Sequence, residues 1–333
     1  MPGPDDGVLD EPLEPPAGSG AGVAAATRTG AGAPADARAG SDSVTIGVDV
    51  GGTKTAVAVT RGAVILEYAV APTPVADLAA LVATIEALLR PRLDARPFAQ
   101  VGVCVPGLLH PDSGVVAHAA NVPALVGSAF GEVLQRHVGL PVVVENDANA
   151  AAWAEHVYGA ARAWRASFFL TVSTGVGGGY VSEHGLHRGR HGYAADVGHA
   201  TLVPDGRVCS CGERGCVEAY SSGTSIANRA SEALGRRLST REAFALARAG
   251  EPAAASVVEE AARALAIVLT TATKVVDPDG LVIGGGVATH EPWFVERVRE
   301  HLAAALRSFR PVPLEVAQLG DRAGVIGAAS LSR

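Results

Sequence analysis

A pattern that occurs twice along the chain restricts its fold more than any other feature. Each copy is an apolar strand, a glycine-rich turn and a second apolar strand: "VTIGVDVGGTKTAVAV" from Val44 and "SFFLTVSTGVGGGYVSEHGLHRG" from Ser167. Strands this close in sequence pair as antiparallel hairpins, and apolar residues at helical spacing follow each copy. Two such cycles in tandem predict a duplicated α/β architecture with a cleft between two lobes.

The other periodicities place further elements around these hairpins. In the first half, "GAVILEYAVAP" predicts a third strand, "VADLAALVATIEALLR" a helix that ends before Pro91, "AQVGVCVPG" a buried strand, and "PVVVENDANAAAWAEHVYG" a strand followed by a helix. In the second half, helices are predicted around residues 224–234, 240–249 and 254–276. There "GLVIGGGVA" predicts a strand with a glycine turn, and "GVIGAASL" predicts a closing helix.

The same reading divides the chain into three parts. Residues 1–43 are rich in Gly, Ala and Pro without a period, which predicts a disordered extension. We expect an N-terminal α/β domain at residues 44–150 and a C-terminal α/β domain at residues 151–333, with the last helix packed back on the N-terminal domain. The extension lacks the basic start and apolar run of a secretory signal. This favours the cytoplasm, where thiols stay reduced.

Composition excludes two classes of partner. Of the 333 residues, 48% are hydrophobic and 18% are charged, which is enough apolar material for a sizeable core. No uninterrupted apolar run reaches the roughly 18 residues that a membrane span needs, so no membrane partner is expected. The 34 acidic and 27 basic residues give a net charge of −7, spread along the chain. Because nucleic acid requires a basic face, it is not an expected partner either.

Three glycine-rich stretches lie at the ends of predicted strands. In "DVGGTK", residues 49–54, exposed backbone N–H groups suit phosphate oxygens, and the carboxylate of Asp49 suits a hydrated magnesium ion. "STGVGGG", residues 173–179, has the equivalent place in the second cycle, and "GGG" at residues 284–286 lets a nucleotide ring approach the backbone. An ordinary glycine turn is the alternative for each stretch alone. Three of them in one chain favour a nucleotide site.

The stretch "END" joins a predicted strand to a predicted helix. Glu145, Asn146 and Asp147 stand where a carboxylate at the mouth of a cleft can accept a hydroxyl proton while the oxygen attacks phosphorus. Helix capping is the alternative, because Asn and Asp are common N-cap residues. One residue cannot easily do both, so we expect one of Asn146 and Asp147 to cap and the other to catalyse.

Three of the four cysteines lie close together. Cys209, Cys211 and Cys216 follow C-x-C-x4-C, and His199 lies ten residues before the first of them. This set predicts a closed, structural zinc site with three cysteines and one histidine, while a redox pair through C-x-C stays open as the alternative. Cys104 is predicted to be a core side chain. The histidines without ligand spacing, to which no role is assigned, are His110, His118, His184 and His187.

In this order, the motifs resemble those of the ROK family (repressors, open reading frames and sugar kinases) from Val44 onward. The resemblance rests on "DVGGTK", "VPG", "END", "STGVGGG", "DVGH", "CSCGERGCVEAYSSG", "DPDGLVIGGGV" and "AGVIGAA". It implies an α/β fold of the two-lobed, actin-like ATPase (ribonuclease H-like) class, with a structural zinc loop in the larger domain. It also implies a homodimer or higher homo-oligomer, and an ATP-dependent kinase that phosphorylates the 6-hydroxyl of a hexose, with glucose expected first.

The resemblance implies a role for each matching residue, with Asp147 as the catalytic base. The residues that would contact the sugar are Gly107, Asn121, Asn146, Asp147, Asp196, His199 and Glu218. The residues that would bind ATP with its magnesium ion are Asp49, Gly51, Gly52, Thr53, Lys54, Thr174, Gly175, Gly284, Gly285 and Gly286. The residues that would bind zinc are His199, Cys209, Cys211 and Cys216.

One motif departs from the family pattern. Where ROK kinases usually have G-E-x-G-H, this chain has "ADVGH", with Ala195 for Gly and Asp196 for Glu. The shorter carboxylate leaves space for a larger or amino substituent, so a kinase for N-acetylmannosamine, N-acetylglucosamine or an aminodeoxyglucose is the alternative. A sugar-responsive regulator without kinase activity is less expected, because no helical DNA-binding pattern precedes Val44. ATP and polyphosphate both suit the glycine-rich loops as phosphate donor.

Overall fold

The computed structural model describes residues 43–331, so the extension predicted at residues 1–43 lies outside the described residues apart from Ser43. None of the described helices is long and apolar enough to cross a membrane. The strands are β1 Val44–Val50, β2 Lys54–Arg61, β3 Val64–Pro72, β4 Val101–Val105, β5 Leu108–Leu109, β6 Val116–His118, β7 Val142–Asn146, β8 Ser167–Val172, β9 Val176–Ser182, β10 Gly185–Leu186, β11 Gly280–Gly284 and β12 Leu314–Val316. The α-helices are α1 Leu78–Ala95, α2 Phe130–Val138, α3 Asp147–Val157, α4 Glu218–Ser221, α5 Gly223–Leu234, α6 Thr240–Arg248, α7 Pro252–Val276, α8 Gly285–His290, α9 Pro292–Ala305 and α10 Ala323–Ser330.

The first sheet has the strand order β3-β2-β1-β4-β7. The pairs β1–β2 and β2–β3 are antiparallel, which confirms the predicted hairpins, and β4 and β7 continue the sheet as parallel strands. Side chains alternate between the two faces of a strand. In β1, Ile46, Val48 and Val50 therefore enter a core with α1 and α2, whereas Gly47 and Asp49 lie on the opposite face.

The second sheet repeats this plan with the order β10-β9-β8-β11-β12. Its first two strand pairs are antiparallel and its last two are parallel, as in the first sheet. One face of it packs against the helices α5 to α9. The repetition confirms the predicted duplicated α/β architecture. The described residues belong to one compact unit, and the domain boundary at residue 150 stays a prediction.

Helices α3 and α10 connect the two sheets. α3 contacts β8 and β9 of the second sheet, α10 contacts β1 and β4 of the first, and the two helices contact each other. Glycines permit this close approach, because a side chain at Gly102 would overlap the carbonyl oxygen of Ala328, and one at Gly327 would overlap that of Ala150. The start of α3 at Asp147 is therefore held between both sheets.

Two predicted elements differ from the structure. α1 continues through Pro91 to Ala95, although the proline was expected to follow its end. Proline removes one backbone hydrogen bond from a helix, and the packing of Leu93 against the core of the first sheet offsets that loss. The glycines at residues 284–286, predicted as a turn after a strand, instead join that strand directly to a helix. Gly284 ends β11, and α8 begins directly at Gly285, whose φ of 85° suits glycine.

Candidate active site

A cleft of about 1400 Å³ runs along the ends of strands from both sheets. Predicted site residues that line it are Asp49, Gly51, Gly52, Gly107, Asn121, Asn146, Asp147, Thr174, Gly175, Asp196, His199, Cys209, Cys211, Glu218, Gly285 and Gly286. The predicted residues that lie outside the lining of this cleft are Thr53, Lys54, Cys216 and Gly284. The cleft thus brings together most of the residues to which the motifs assign sugar, phosphate or metal contacts.

A polar row crosses the first sheet below this cleft. Asp49 on β1, Cys104 on β4 and Glu145 on β7 are partners in the strand register. The Sγ atom of Cys104 donates a hydrogen bond to Oδ1 of Asp49 at 3.4 Å. Burial raises the pKa of Asp49, while the bond from Cys104 and the charge of Lys54 lower it. Cys104 is fully buried, as predicted, and it also orients the Asp49 carboxylate.

Asn146 caps helix α3 and holds the neighbouring turn. Its Oδ1 accepts a hydrogen bond from the backbone N–H of Asn149 at 3.0 Å, which is the N-cap geometry. Its Nδ2 donates to the carbonyl oxygen of Gly107 at 2.8 Å. The capping residue of the "END" stretch is therefore Asn146, and Asp147 is free of that task.

Asp147 is the first residue of α3 and faces the cleft. Its Oδ1 accepts the backbone N–H of Ala148 at 2.8 Å. Burial, together with the negative charges of Asp49 and Asp196, raises the pKa of Asp147 to about 7, against the lowering effect of the backbone hydrogen bonds. A carboxyl group that titrates near neutral pH is suited to accept a proton from a hydroxyl group.

Each of the first two glycine-rich turns contacts a predicted sugar residue. A Cβ atom on Gly52 would lie 3.0 Å from the Cβ of Asn121. In the second turn, the N–H of Val176 donates to Oε2 of Glu218 at 2.9 Å, and a Cβ atom on Gly175 would lie 2.6 Å from that same oxygen. A side chain at Gly175 would therefore require the Glu218 carboxylate to move, and one at Gly52 would press on the side chain of Asn121.

Glu218 also connects the second glycine-rich turn to the cysteine segment. Its Oε1 accepts a hydrogen bond from the hydroxyl group of Ser210 at 2.6 Å, and the Sγ of Cys209 lies 3.7 Å from the same oxygen. Its Oε2 is bound by Val176. A carboxylate has about four lone-pair positions, so acceptor positions remain for a ligand in the cleft.

His199, Cys209, Cys211 and Cys216 form a compact donor cluster. One ligand atom from each of them lies within 4.8 Å of all the others. The distance from Cys209 Sγ to His199 Nδ1 is 3.6 Å, and that from Cys211 Sγ to Cys216 Sγ is 3.7 Å. A tetrahedral zinc ion requires about 3.6 Å between S and N and about 3.8 Å between two S atoms, from its usual bond lengths. The residues present therefore fit zinc.

The thiols of this cluster favour the protonated, neutral form unless a cation binds beside them. Burial and the neighbouring thiols Cys211 and Cys209 raise the pKa of Cys216 to about 12, and burial raises the pKa of Cys209 as well. All described cysteines are free of disulfide bonds. A metal ion binds thiolate rather than thiol, so metal binding here would release protons.

Asp196 stands on a strained turn beside this cluster. The preceding residue, Ala195, has φ of 63°, a left-handed conformation that is unfavourable for alanine. Among the described residues, no hydrogen bond to the Asp196 carboxylate is found, so its oxygens remain open to the cleft. Burial raises the pKa of Asp196 and Glu218 adds to this, while His199 and His118 lower it.

Two residues of the site were missed from the sequence. His118, to which no role was assigned, lines the cleft on β6, and its charge lowers the pKa of Asp196. Arg188 forms an ion pair with Glu145, with 2.5 Å between Nε and Oε2. The signal for His118 was its place three residues before Asn121 in "HAAN". Nothing local marked Arg188, because its partner lies 43 positions away.

Comparison with known proteins gives the family. The model of the ROK family matches residues 45–333. The chain therefore belongs to the ROK family, which confirms the prediction from the ordered motifs. A glucokinase of Streptomyces coelicolor is 34% identical over 87% of this chain and 97% of its own length. An N-acetylmannosamine kinase of Citrobacter koseri is 35% identical over 87% of this chain and 98% of its own length.

Solved structures agree with this assignment. A ROK hexokinase from Thermus thermophilus is 37% identical, with a TM-score of 0.80 over 86% of this chain and 97% of its own. A ROK glucokinase from Streptomyces griseus, in complex with glucose and AMPPNP, is 33% identical, with a TM-score of 0.76 over 87% of this chain and 99% of its own. Relatives that act on glucose and on N-acetylmannosamine thus resemble this chain to the same degree.

Proposed function

We propose that this protein is a cytoplasmic sugar kinase that transfers the γ-phosphate of ATP to the 6-hydroxyl of a hexose, with glucose as the expected substrate. The observation that carries the proposal is the carboxyl group of Asp147. It faces the cleft between the glycine-rich turns and the polar cluster around Asp196, and burial raises its pKa to about 7. This is the arrangement that a general base for a sugar hydroxyl needs.

In this proposal the chain acts mainly by alignment. Asn121, Asn146, Asp196, His199 and Glu218 would bind the sugar hydroxyls, so that the 6-hydroxyl lies beside Asp147. Phosphoryl transfer asks little covalent chemistry of the protein, and holding the two reactants in line provides much of the rate. A sugar that lacks a matching hydroxyl would leave buried polar groups unpaired and would be rejected.

The glycine-rich turns would hold the phosphates of ATP. Gly51, Gly52, Thr174 and Gly175 line the cleft on both sides and can present backbone N–H groups to phosphate oxygens, as anion-binding turns do. Gly285 and Gly286 open helix α8 at the same cleft and would lie beside the nucleoside. When bound, magnesium neutralises charge on the transferred phosphate, and Asp49 is the residue that would hold it.

The cysteine cluster would serve the sugar site as a scaffold. We propose that His199, Cys209, Cys211 and Cys216 hold a structural zinc ion, because their donor atoms fit tetrahedral coordination. His199 would then be fixed at one end of the segment, and Glu218 follows two residues after Cys216 at the other. The zinc site would thereby fix two of the proposed sugar contacts.

An amino-sugar kinase is the second candidate, and one observation favours it. The carboxylate of Asp196 is a methylene shorter than the usual glutamate and accepts no hydrogen bond from the described residues. A larger substituent on the sugar could occupy the space beside it. N-acetylmannosamine, N-acetylglucosamine and an aminodeoxyglucose are the substrates of this class to consider.

A panel of sugars distinguishes the two candidates. The purified protein is incubated with ATP and magnesium and with glucose, mannose, glucosamine, N-acetylglucosamine or N-acetylmannosamine, and ADP release is followed. We expect the highest kcat/KM for glucose. A value for any amino sugar well above that for glucose would replace the first candidate by the second, and turnover with none of them would contradict the kinase assignment.

The base is tested by Asp147→Asn. The amide keeps the size and one acceptor oxygen of the side chain but cannot take the hydroxyl proton. We expect kcat to fall by about 10²- to 10⁴-fold, while sugar binding measured by calorimetry stays within a few fold of wild type. In the wild type, kcat/KM should rise with pH through about 7, because the base must lose its proton. Near-normal turnover of the variant would refute this role.

A further inference from the structure

An ion pair joins the two halves of the cleft behind the proposed sugar site. Nε of Arg188 lies 2.5 Å from Oε2 of Glu145 at the end of β7. Arg188 belongs to the segment that leads from β10 to Asp196, whereas Glu145 directly precedes Asn146 and Asp147. The pair therefore connects the two stretches that carry the proposed sugar contacts and the proposed base.

Glu145 is buried and depends on this arginine. Its side chain is 6% exposed, whereas that of Arg188 is 43% exposed. Burying a carboxylate without a counter-charge destabilises the folded protein. Removing one partner of such a pair leaves an uncompensated buried charge. Among the described residues, Arg188 is the cation paired with Glu145.

The other oxygen of Glu145 holds the start of α3. Oε1 accepts the backbone N–H of Asn146 at 2.9 Å and Nδ2 of Asn149 at 3.0 Å. Asn146 in turn caps α3 through Asn149 and binds the carbonyl oxygen of Gly107. The position of the Glu145 carboxylate thus sets the positions of Asn146 and of the helix start beside it.

We propose that Arg188 is a positioning residue for the sugar site. It acts through Glu145: it neutralises that carboxylate and so keeps Asn146 and the first turn of α3 in place relative to the segment that carries Asp196. This role rests on the proposed kinase function, because it is defined by sugar binding and turnover. It is distinct from catalysis, since Arg188 is placed behind the residues proposed to contact the sugar.

A neighbouring arginine provides a matched control. Arg190, two residues later, pairs with Asp112, and both of these side chains are exposed, at 73% and 57%. An exposed ion pair contributes little, about 0–1 kcal/mol. Arg188 and Arg190 therefore lie on one segment and both bridge to the first half of the chain, but only Arg188 pairs with a buried carboxylate.

The test compares Arg188→Met, Arg188→Lys and Arg190→Met by steady-state kinetics, with thermal unfolding as a check on folding. For Arg188→Met we expect a loss of about 10- to 100-fold in kcat/KM for the sugar, with the KM for ATP within twofold of wild type. Arg188→Lys, which keeps the charge, should recover part of the loss, and Arg190→Met should match wild type. Wild-type turnover in the same assay tests the kinase function independently of these variants.

The path through Glu145 is tested by a double-mutant cycle. In a Glu145→Gln background the buried charge is gone, so adding Arg188→Met should change kcat/KM by less than about twofold, since coupled residues are not additive. If Arg188→Met alone folds poorly, Arg188→Lys and the comparison of Glu145→Gln with the double variant still test the proposal. The proposal is overturned if the two changes are additive, if the KM for ATP rises as much as that for the sugar, or if Arg190→Met is equally impaired.

Discussion

At the scale of single residues, neighbouring side chains in the "END" stretch have different environments and therefore different tasks. The side-chain amide of Asn146 caps the helix and donates a hydrogen bond to the carbonyl oxygen of Gly107. Asp147 accepts one backbone N–H and keeps the rest of its carboxyl group for the cleft. The sequence predicted that one of the two residues would cap the helix and the other would catalyse; the structure shows that Asn146 caps, and catalysis by Asp147 stays a prediction. The residues alone could not say which of the two caps, because both residue types cap helices well, and only the family resemblance implied Asp147 as the base.

The raised pKa of Asp147 predicts a pH-dependent effect on stability. The value of about 7 in the folded protein exceeds the usual value of about 3.9. Folded protein binds the proton more tightly, so the contribution of Asp147 to stability is full below about pH 4 and is lost as pH rises through 7. The Asp147→Asn variant has no ionisable group at this position, so it does not lose this stability as the pH rises. We expect its unfolding free energy relative to wild type to increase between about pH 4 and pH 7.

Urea unfolding without sugar, nucleotide or magnesium measures this difference. Asp94→Asn, on the exposed side of α1, is the matched control, and its difference from wild type should stay constant over the same pH range. A difference for Asp147→Asn that is equally independent of pH would show that the burial of this carboxyl group costs nothing.

At the scale of elements, local patterns predicted most of the fold. The hairpins, the helix after "END" and the three long helices of the second half follow from periodicity within each segment, and their observed bounds differ by a few residues. The roles of His118 and Arg188 depend on which strands become neighbours across long stretches of chain. The predicted end of α1 was wrong for a similar reason, since the tertiary packing of Leu93 outweighs the helix-breaking effect of Pro91.

The cysteine segment yields a prediction at this scale. Cys211→Ser removes one of four donor atoms from the proposed zinc site. We expect less than one zinc per chain by elemental analysis, a lower melting temperature and a higher KM for the sugar, because the metal and its segment support the pocket. Val208→Ala, on the exposed part of the same segment, should keep its zinc. Fully active wild-type protein without zinc would contradict the coupling.

At the scale of the whole molecule, the packing of α3 against α10 determines how the two sheets meet. Glycine to alanine inside a helix normally stabilises a protein by about 0.5–1 kcal/mol. At Gly327 the added methyl group would overlap the carbonyl oxygen of Ala150 on α3. We therefore expect Gly327→Ala to destabilise the protein instead, lowering its free energy of unfolding by about 1–3 kcal/mol. The sugar kcat/KM should fall with it, because α3 carries Asp147. Chemical denaturation gives the sign, and a more stable variant would refute the close packing.

The packing of α10 also constrains the order in which this protein can be made. The inner face of the first sheet, formed by β1 and β4 near the start of the described chain, is covered by a helix at its far end. Gly47 and Gly102 lie directly beneath that helix. During synthesis on a ribosome, the first sheet can form its hairpins early but must leave this face uncovered until residues 323–330 emerge. The emergence of α10, rather than the appearance of the first half of the chain, is then the event that allows this face of the sheet to be covered.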